Sequence, residues 1–369
     1  MLTLRPAWSY ARTPPNLFQF ATDDKDWQRW AFSVFAQDRV ACPPEGLMTF
    51  EDCVVFQGRH LLQGSIPVPE TIVDHPDADQ LAARIVDLCE RGDCVQWRAD
   101  RRADVVVAKW GSGNYGHMLT DIAPKLLNLA RARLGGVRLH LPDDSAIFVP
   151  LLRDLCARLA IDAEFRIASP DEVARFERVL FLTPVAKHAR RKSEALRELR
   201  ELMLGAYGGQ GTRRLFVTRR PAEPRAIANQ AEVASIFAGC GFEIVHPRHM
   251  SFADQVRLFS QASHVAGPVG AGMTNSLFAP VTAEILLIDP GLCAFYFWDA
   301  ANLVGQPFHW HFAARPGHFE PERTRSAFHV DLDALLATLR GLGWTDGRRR
   351  LRGWLPNRMM PTIVRRWIR

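Results

Sequence analysis

No apolar run in this 369-residue chain reaches the roughly 18 residues that a membrane span needs. The opening stretch, MLTLRPAWSYARTPPNLFQF, has no continuous apolar core and does not read as a signal peptide, so the expected location is cytoplasmic. No Cys-x-x-Cys occurs among the seven cysteines, and no His lies at zinc-ligand spacing from the one close pair, Cys89 and Cys94. An odd number of cysteines without metal spacing reads as reduced thiols, and no metal is expected. Repeats are missing, and the Arg-rich tail is the one low-complexity stretch. With 47% hydrophobic and 23% charged residues, the composition is that of a globular chain of about two domains, which excludes disorder, collagen and coiled coil for the bulk.

The body of the chain also lacks excess charge. The net +6 comes from residues 345–369, which hold eight Arg and one Asp; the rest has 38 Lys/Arg against 39 Asp/Glu. A basic footprint broad enough for nucleic acid is therefore not expected. In the tail, Ile363, Val364, Trp367 and Ile368 recur at i, i+1, i+4 and i+5 after Pro361, with Arg between them. A basic amphipathic segment of this kind suits an anionic membrane interface. It equally suits a C-terminal helix packed on the body with solvated arginines.

The first hundred residues are irregular and rich in Pro, Trp and Phe, with short strand-like runs at 53–57 and 61–66, and read as a β-rich N-terminal portion. Beyond Asp104 the pattern sharpens. Val105–Ala108 is a β-branched buried strand, and residues 114–134 follow with Met118, Ile122, Leu126 and Leu129 at helical spacing, stopped by Gly135-Gly136. Strands at 137–141, 165–167 and 179–182 and helices at 145–160, capped by Ser145, and 192–203 complete a β-α-β-α-β-β-α order, that of a mostly parallel sheet covered by helices. Residues 204–211, with four Gly in eight, read as a linker. A second alternation follows: strands at 215–218, 242–245, 264–266 and 285–288, with helices opened by Asn229 (Glu232 three residues on, a capping box) and by Ser251.

Three motifs carry chemistry. Gly267–Asn275 (GPVGAGMTN) follows a strand and opens a short helix. Its glycines let backbone approach a ligand, and Thr274 and Asn275 offer donors at a helix start, which makes an anion or phosphate seat. The spacing is neither G-x-G-x-x-G nor a P-loop, and tight helix–sheet packing accounts for the glycines equally well. Arg219 and Arg220 stand at the C-terminal end of a strand, where they either clamp a diphosphate or lie solvated. Asn114, His117 and Asp121 fall on one face near the start of the first long helix. The i, i+4 spacing lets Asp121 fix the His117 tautomer for proton abstraction, although a plain surface His–Asp pair, or an Asp121–Lys125 salt bridge, fits the same spacing.

Taken together, these stretches resemble glycosyltransferase family 61. NYGHMLTDIAPKLL is similar to that family's N-Y-x-H helix, RRLFVTRR to its strand ending in Ser/Thr-Arg-Arg, and GFEIVHPRHMSFADQVRLFSQASHVAGPVGAGMTNSLFAP to its most characteristic stretch; FYFWDAANLVGQPFHWH and FHVDLDALLATL resemble its C-terminal elements. The resemblance spans about residues 50–340. It implies an α/β, GT-B-like architecture: two Rossmann-like α/β/α domains facing across a cleft. The corresponding domains are a β-rich segment plus acceptor domain at 1–204, a donor domain at 212–320, and a C-terminal helix with basic tail at 321–369. It implies an inverting transfer of a hexosyl, pentosyl or N-acetylhexosaminyl group from a nucleotide-diphosphate sugar to a glycan acceptor, without a metal or other cofactor, in capsular, exo- or lipopolysaccharide synthesis. A lipid-linked acceptor would place the tail at the inner face of the cell membrane.

The residues that match are His117, with Asp121 as its orienter or itself the base, and Asn114, Arg219, Arg220, Gly270, Gly272, Thr274 and Asn275 around the substrates; Asp289 or Glu284 is the candidate for the ribose hydroxyls. One position departs from the family pattern: Val269 stands where the family usually has His. It motivates the alternative of a catalytically silent nucleotide- or glycan-binding scaffold of a polysaccharide-assembly complex.

Overall fold

The computed structural model describes residues 1–64, 66–72, 78–91, 94–187, 191–205, 211–317 and 321–345. The chain divides into two units, one made of residues 1–12 and 39–205, the other of 13–38 and 206–369. The tail at 346–369 and most of the linker expected at 204–211 lie outside the described residues.

The first unit is built on a nine-stranded mixed sheet among the described residues. Ala163–Ala168, Val137–Pro142, Ala103–Val106 and Val173–Leu182 run parallel in that order, as the alternation predicts. Val173–Leu182 then pairs antiparallel, along its whole length, with the long strand Glu45–Phe56. The expected Rossmann-like domain is thus half of a mixed sheet. The β-rich N-terminal portion is not a separate appendage: it continues the same sheet through Glu45–Phe56, His60–Gln63 and Ile66–Pro67. Antiparallel neighbours need only short turns, so a meander extends a parallel core without further crossover helices.

The helix expected at 114–134 has three parts. Asn114 caps it by accepting the Gly116 N–H at 2.8 Å. Tyr115–His117 is α-helical, Met118–Ile122 is one turn of π-helix, and Ala123–Ala132 is α-helical again. Pro124 explains the middle part. It has no N–H to return to Thr120, so the ladder widens and the Ala123 N–H donates to Met118 O, five residues back. The helix stops on Arg133 in a left-handed conformation (φ 50°), before the Gly pair. Ser145 does not cap a helix. It lies buried within the 3-10 segment Asp143–Phe148, its hydroxyl donating to Ser112 Oγ at 3.0 Å, and the α-helix Val149–Arg158 follows.

The second unit holds a six-stranded, all-parallel sheet in the order Glu243–Val245, Arg213–Val217, Ala262–Pro268, Glu284–Asp289, Phe308–Phe312, Asn16–Phe18. The last strand is a correction, because residues 13–38 were expected in the N-terminal portion. They join this unit through aromatic packing: Phe35, on the helix Lys25–Phe35, lies edge-on to Trp298 and Trp310, and the Trp298 indole donates to Thr13 O at 2.8 Å. Residues 321–345 are likewise part of this unit rather than a separate element. Leu335 and Leu339, on the helix Leu332–Gly341, enter one core with Val330, Trp344, Phe216, Phe237 and Leu286. Each such fully buried Leu is worth about 1.5–3 kcal/mol. Ser251 caps its helix as expected. Asn229 sits at a helix start but spends its side chain on Val330, accepting its N–H at 3.0 Å and donating to its carbonyl at 2.9 Å, so the expected capping box does not form.

Candidate functional site

In the first unit the His117–Asp121 pair forms as the spacing predicts, with His117 Nδ1 2.8 Å from Asp121 Oδ2. The surroundings make it more than a surface pair. Asp121 is only 4% exposed, and each of its oxygens meets further donors. Lys109 Nζ is 3.0 Å from Oδ2, the Thr120 hydroxyl donates to Oδ1 at 2.8 Å, and Lys192 Nζ is 3.8 Å from Oδ1. Burial alone would push this carboxyl up, but the charges of Lys109, Lys192 and His117 hold it well below the usual carboxylate range. Asp121 is therefore held in its charged form by these neighbours near neutral pH. Its hydrogen bond selects the tautomer with the proton on Nδ1, which leaves the basic lone pair of His117 on Nε2. Gly111, in a left-handed turn (φ 81°), brings backbone against the ring: a Cβ there would be 3.3 Å from His117 Cδ2 and 3.6 Å from Nε2.

Lys125 does not pair with Asp121. It donates to Val107 O at 2.8 Å with its ammonium 5.0 Å from the Phe181 ring centroid, and burial, with Lys109 nearby, pushes its pKa down to about 7. Lys109 and Lys192 are the residues sequence reasoning missed. Lys109 had one legible signal, its position just past a buried parallel strand, where α/β sheets place functional groups.

In the second unit Arg219 and Arg220 part company. Arg219 lies along the loop after Ala262–Pro268, its Nη1 3.4 Å from Val269 O. A Cβ on Gly270 would fall 1.6 Å from that same nitrogen, so a larger residue there would displace the guanidinium. Arg220 is exposed, its Nη2 2.9 Å from His249 Nε2. His249 lines a hollow of about 590 Å³ with His246, Met250 and Asp254, and neither Arg219 nor Thr274 borders it. The two neighbours in sequence thus serve different places, and the partner that shares Val269 O with Arg219 is Arg225, whose Nε is also 3.4 Å from it.

The model of the family described as Glycosyltransferase 61 matches residues 115–286. Over these residues the chain is similar to glycosyltransferase family 61. No curated protein matches the chain significantly. The family-61 segment takes in His117, Asp121, Lys192, Arg219, Arg220, Arg225 and Gly270–Asn275, and leaves Lys109 and Asp289 outside.

Within the family-61 segment, the expected substrate contacts sort into two groups. Thr274 is 3% exposed, and its hydroxyl has no hydrogen-bond partner among the described residues, so it remains a donor for a ligand. Asn275 instead donates its amide to Gln255 Oε1 at 2.7 Å and Gly272 O at 3.2 Å, which ties the loop to the helix Phe252–Ser260. Gly272 is there for packing: a Cβ would meet Val217 Cγ1 at 3.1 Å. The Asn114 side-chain oxygen caps its own helix.

Asp289, just outside the family-61 segment, is fully buried. It accepts the Leu292 and Ala294 N–H groups at 2.6 and 3.0 Å and the Trp310 indole N–H at 3.0 Å. Burial raises its carboxyl against the pull of those hydrogen bonds. These bonds tie its carboxylate to the loop after the strand and to Trp310. Glu284 is the other candidate for the ribose hydroxyls. It begins the strand that Asp289 ends, and it accepts from His309 and Trp344 at the opposite end of that strand. Val269 is buried and contributes its carbonyl to both arginines, a role independent of its side chain.

Proposed function

We propose that the protein transfers a sugar, with inversion, from a nucleotide-diphosphate donor to a glycan hydroxyl. The single observation that carries this reading is the buried Asp121 carboxylate, held charged by Lys109 and bonded to His117 Nδ1. A carboxylate held that low is a poor proton acceptor, so His117 Nε2 is the base that takes the acceptor's proton as its oxygen attacks the anomeric carbon. Asp121 stabilises the imidazolium that results. The second unit receives the nucleotide. Arg219 neutralises the departing diphosphate, Arg220 assists from the His249 side, and Thr274 and the amides at Gly270–Gly272 supply hydrogen bonds.

The cellular role that follows is cell-surface polysaccharide assembly on a lipid-linked acceptor, with the basic 345–369 tail at the inner membrane face. The experiment is a panel of nucleotide sugars scored for binding and for transfer or hydrolysis, with wild type beside His117→Ala. Turnover of one donor, lost in the variant while binding persists, is expected. Tight nucleotide binding without turnover of any donor would establish the scaffold.

A further inference from the structure

The turn that follows Arg219 carries a second buried arginine which sequence reasoning passed over. Arg225 adopts a left-handed backbone (φ 60°), a conformation that long side chains seldom hold without a reason. Its placement is over-determined. The Ala226 carbonyl accepts from Phe328 N at 3.0 Å, and Arg225 Nη1 donates to Thr324 O at 3.0 Å. These bonds fix the guanidinium beside the loop at Val269, where its Nε and the Nη1 of Arg219 both lie 3.4 Å from the same carbonyl oxygen.

Both contacts are long, so one neutral oxygen is all that the loop offers two cations. The nearby carboxylates are already committed. Glu223 is 3.8 Å from Arg219 Nε but 2.8 Å from Arg248 Nη1, and the Asp289 oxygens are taken by Leu292, Ala294 and Trp310. The Nε of Arg219 is buried with no hydrogen-bond partner among the described residues. Each guanidinium is less basic than a free one because it is buried, and Arg219 is further lowered by Arg225 itself. Two converging forks whose neighbouring carboxylates, Glu223 and Asp289, are bonded to other donors describe a place for a bridging dianion.

We propose that Arg225 is the second arm of the diphosphate clamp: Arg219 and Arg225 hold one phosphoryl group each of the donor's diphosphate, and the bound anion relieves their repulsion. The proposal rests on the reading of the second unit as the nucleotide-binding one.

The test uses inorganic pyrophosphate and uridine and guanosine diphosphates on the full chain, by calorimetry. Arg225→Asn removes the charge while Asn tolerates the left-handed backbone, and Arg225→Gln keeps the stem of the side chain should the first variant fold poorly. The expected result is roughly ten-fold or greater weakening of pyrophosphate by either variant, similar to Arg219→Ala. The Arg219/Arg225 double variant should lose little more than each single one, because one arm alone cannot bridge. Pyrophosphate affinity unchanged in a folded Arg225 variant, with Arg219→Ala weakened, overturns the role of Arg225 and leaves the nucleotide reading standing. Failure of the wild type to bind pyrophosphate and both nucleotides overturns both.

Discussion

Lys109 Nζ lies 3.0 Å from Asp121 Oδ2, and both side chains are almost wholly buried. In the proposed mechanism that ion pair leaves His117, not Asp121, as the base. It helps hold the Asp121 carboxyl well below the usual carboxylate range, which makes that group a poor proton acceptor. A buried pair broken on one side is costly because the survivor stays desolvated.

Asp121→Asn and His117→Ala are therefore expected to lower turnover by roughly 100-fold or more, with donor affinity kept. Lys109→Met should do the same and also destabilise the fold by about 3 kcal/mol, since the Asp121 carboxylate loses its nearest cation. Steady-state kinetics and urea unfolding check both. Full turnover in Lys109→Met would separate the ion pair from the chemistry. The sign with pH follows from the lowered carboxyl. The stabilisation by Asp121 is complete above its unfolded value near ~4 and is lost as pH falls through the native one.

Lys125 gives the opposite dependence. Its pKa falls from 10.5 to about 7 on folding, so between those values the unfolded chain binds a proton that the native chain does not. Stability from this group rises with pH across that window. Relative to wild type, Lys125→Met should be most favourable below pH 7 and lose that advantage toward pH 10. Unfolding free energies at several pH values measure it, and a difference flat with pH would mean that Lys125 is not held neutral.

Gly270→Ala places a methyl where Arg219 Nη1 lies. The guanidinium must move, and nucleoside-diphosphate binding should weaken by about 1.5–3 kcal/mol, as for Arg219→Ala. The melting temperature should hardly change, because the displaced group is the far end of a flexible side chain. Calorimetry beside a thermal melt separates this outcome from general unfolding.

Asp289→Ala should act on stability instead of on the ligand. It strands the buried Trp310 indole N–H, at about 1–3 kcal/mol, and frees two partly buried backbone amides. Nucleoside affinity per folded molecule should stay the same. A selective loss of nucleoside binding in a fully stable variant would assign the ribose role to Asp289.

Deleting residues 346–369 should abolish pelleting with anionic liposomes while folding and donor binding persist, at about 1 kcal/mol of membrane affinity per Arg removed. Unchanged pelleting, or unfolding of the truncated chain, would assign the tail to the body.

Local pattern determined the parts of this protein whose partners are close in sequence. The runs at 105–106 and 285–288 lie in strands, Ser251 caps a helix with Asp254, and the i, i+4 spacing of His117 and Asp121 becomes a hydrogen bond, because each depends on the period of one element. What the tertiary structure alone decided are the relations that cross the chain. Lys109 and Lys192 reach Asp121 from two other segments, and Arg225 joins Arg219 through a carbonyl at Val269. Trp310 claims Asp289 because parallel strands bring the two together, and residues 13–38 leave the N-terminal portion for the second unit through the aromatic contacts of Phe35. Periodicity records which face of an element is apolar, but not which distant charge or ring will meet it; that is set by sheet order, and sheet order follows from long-range burial that no local window contains.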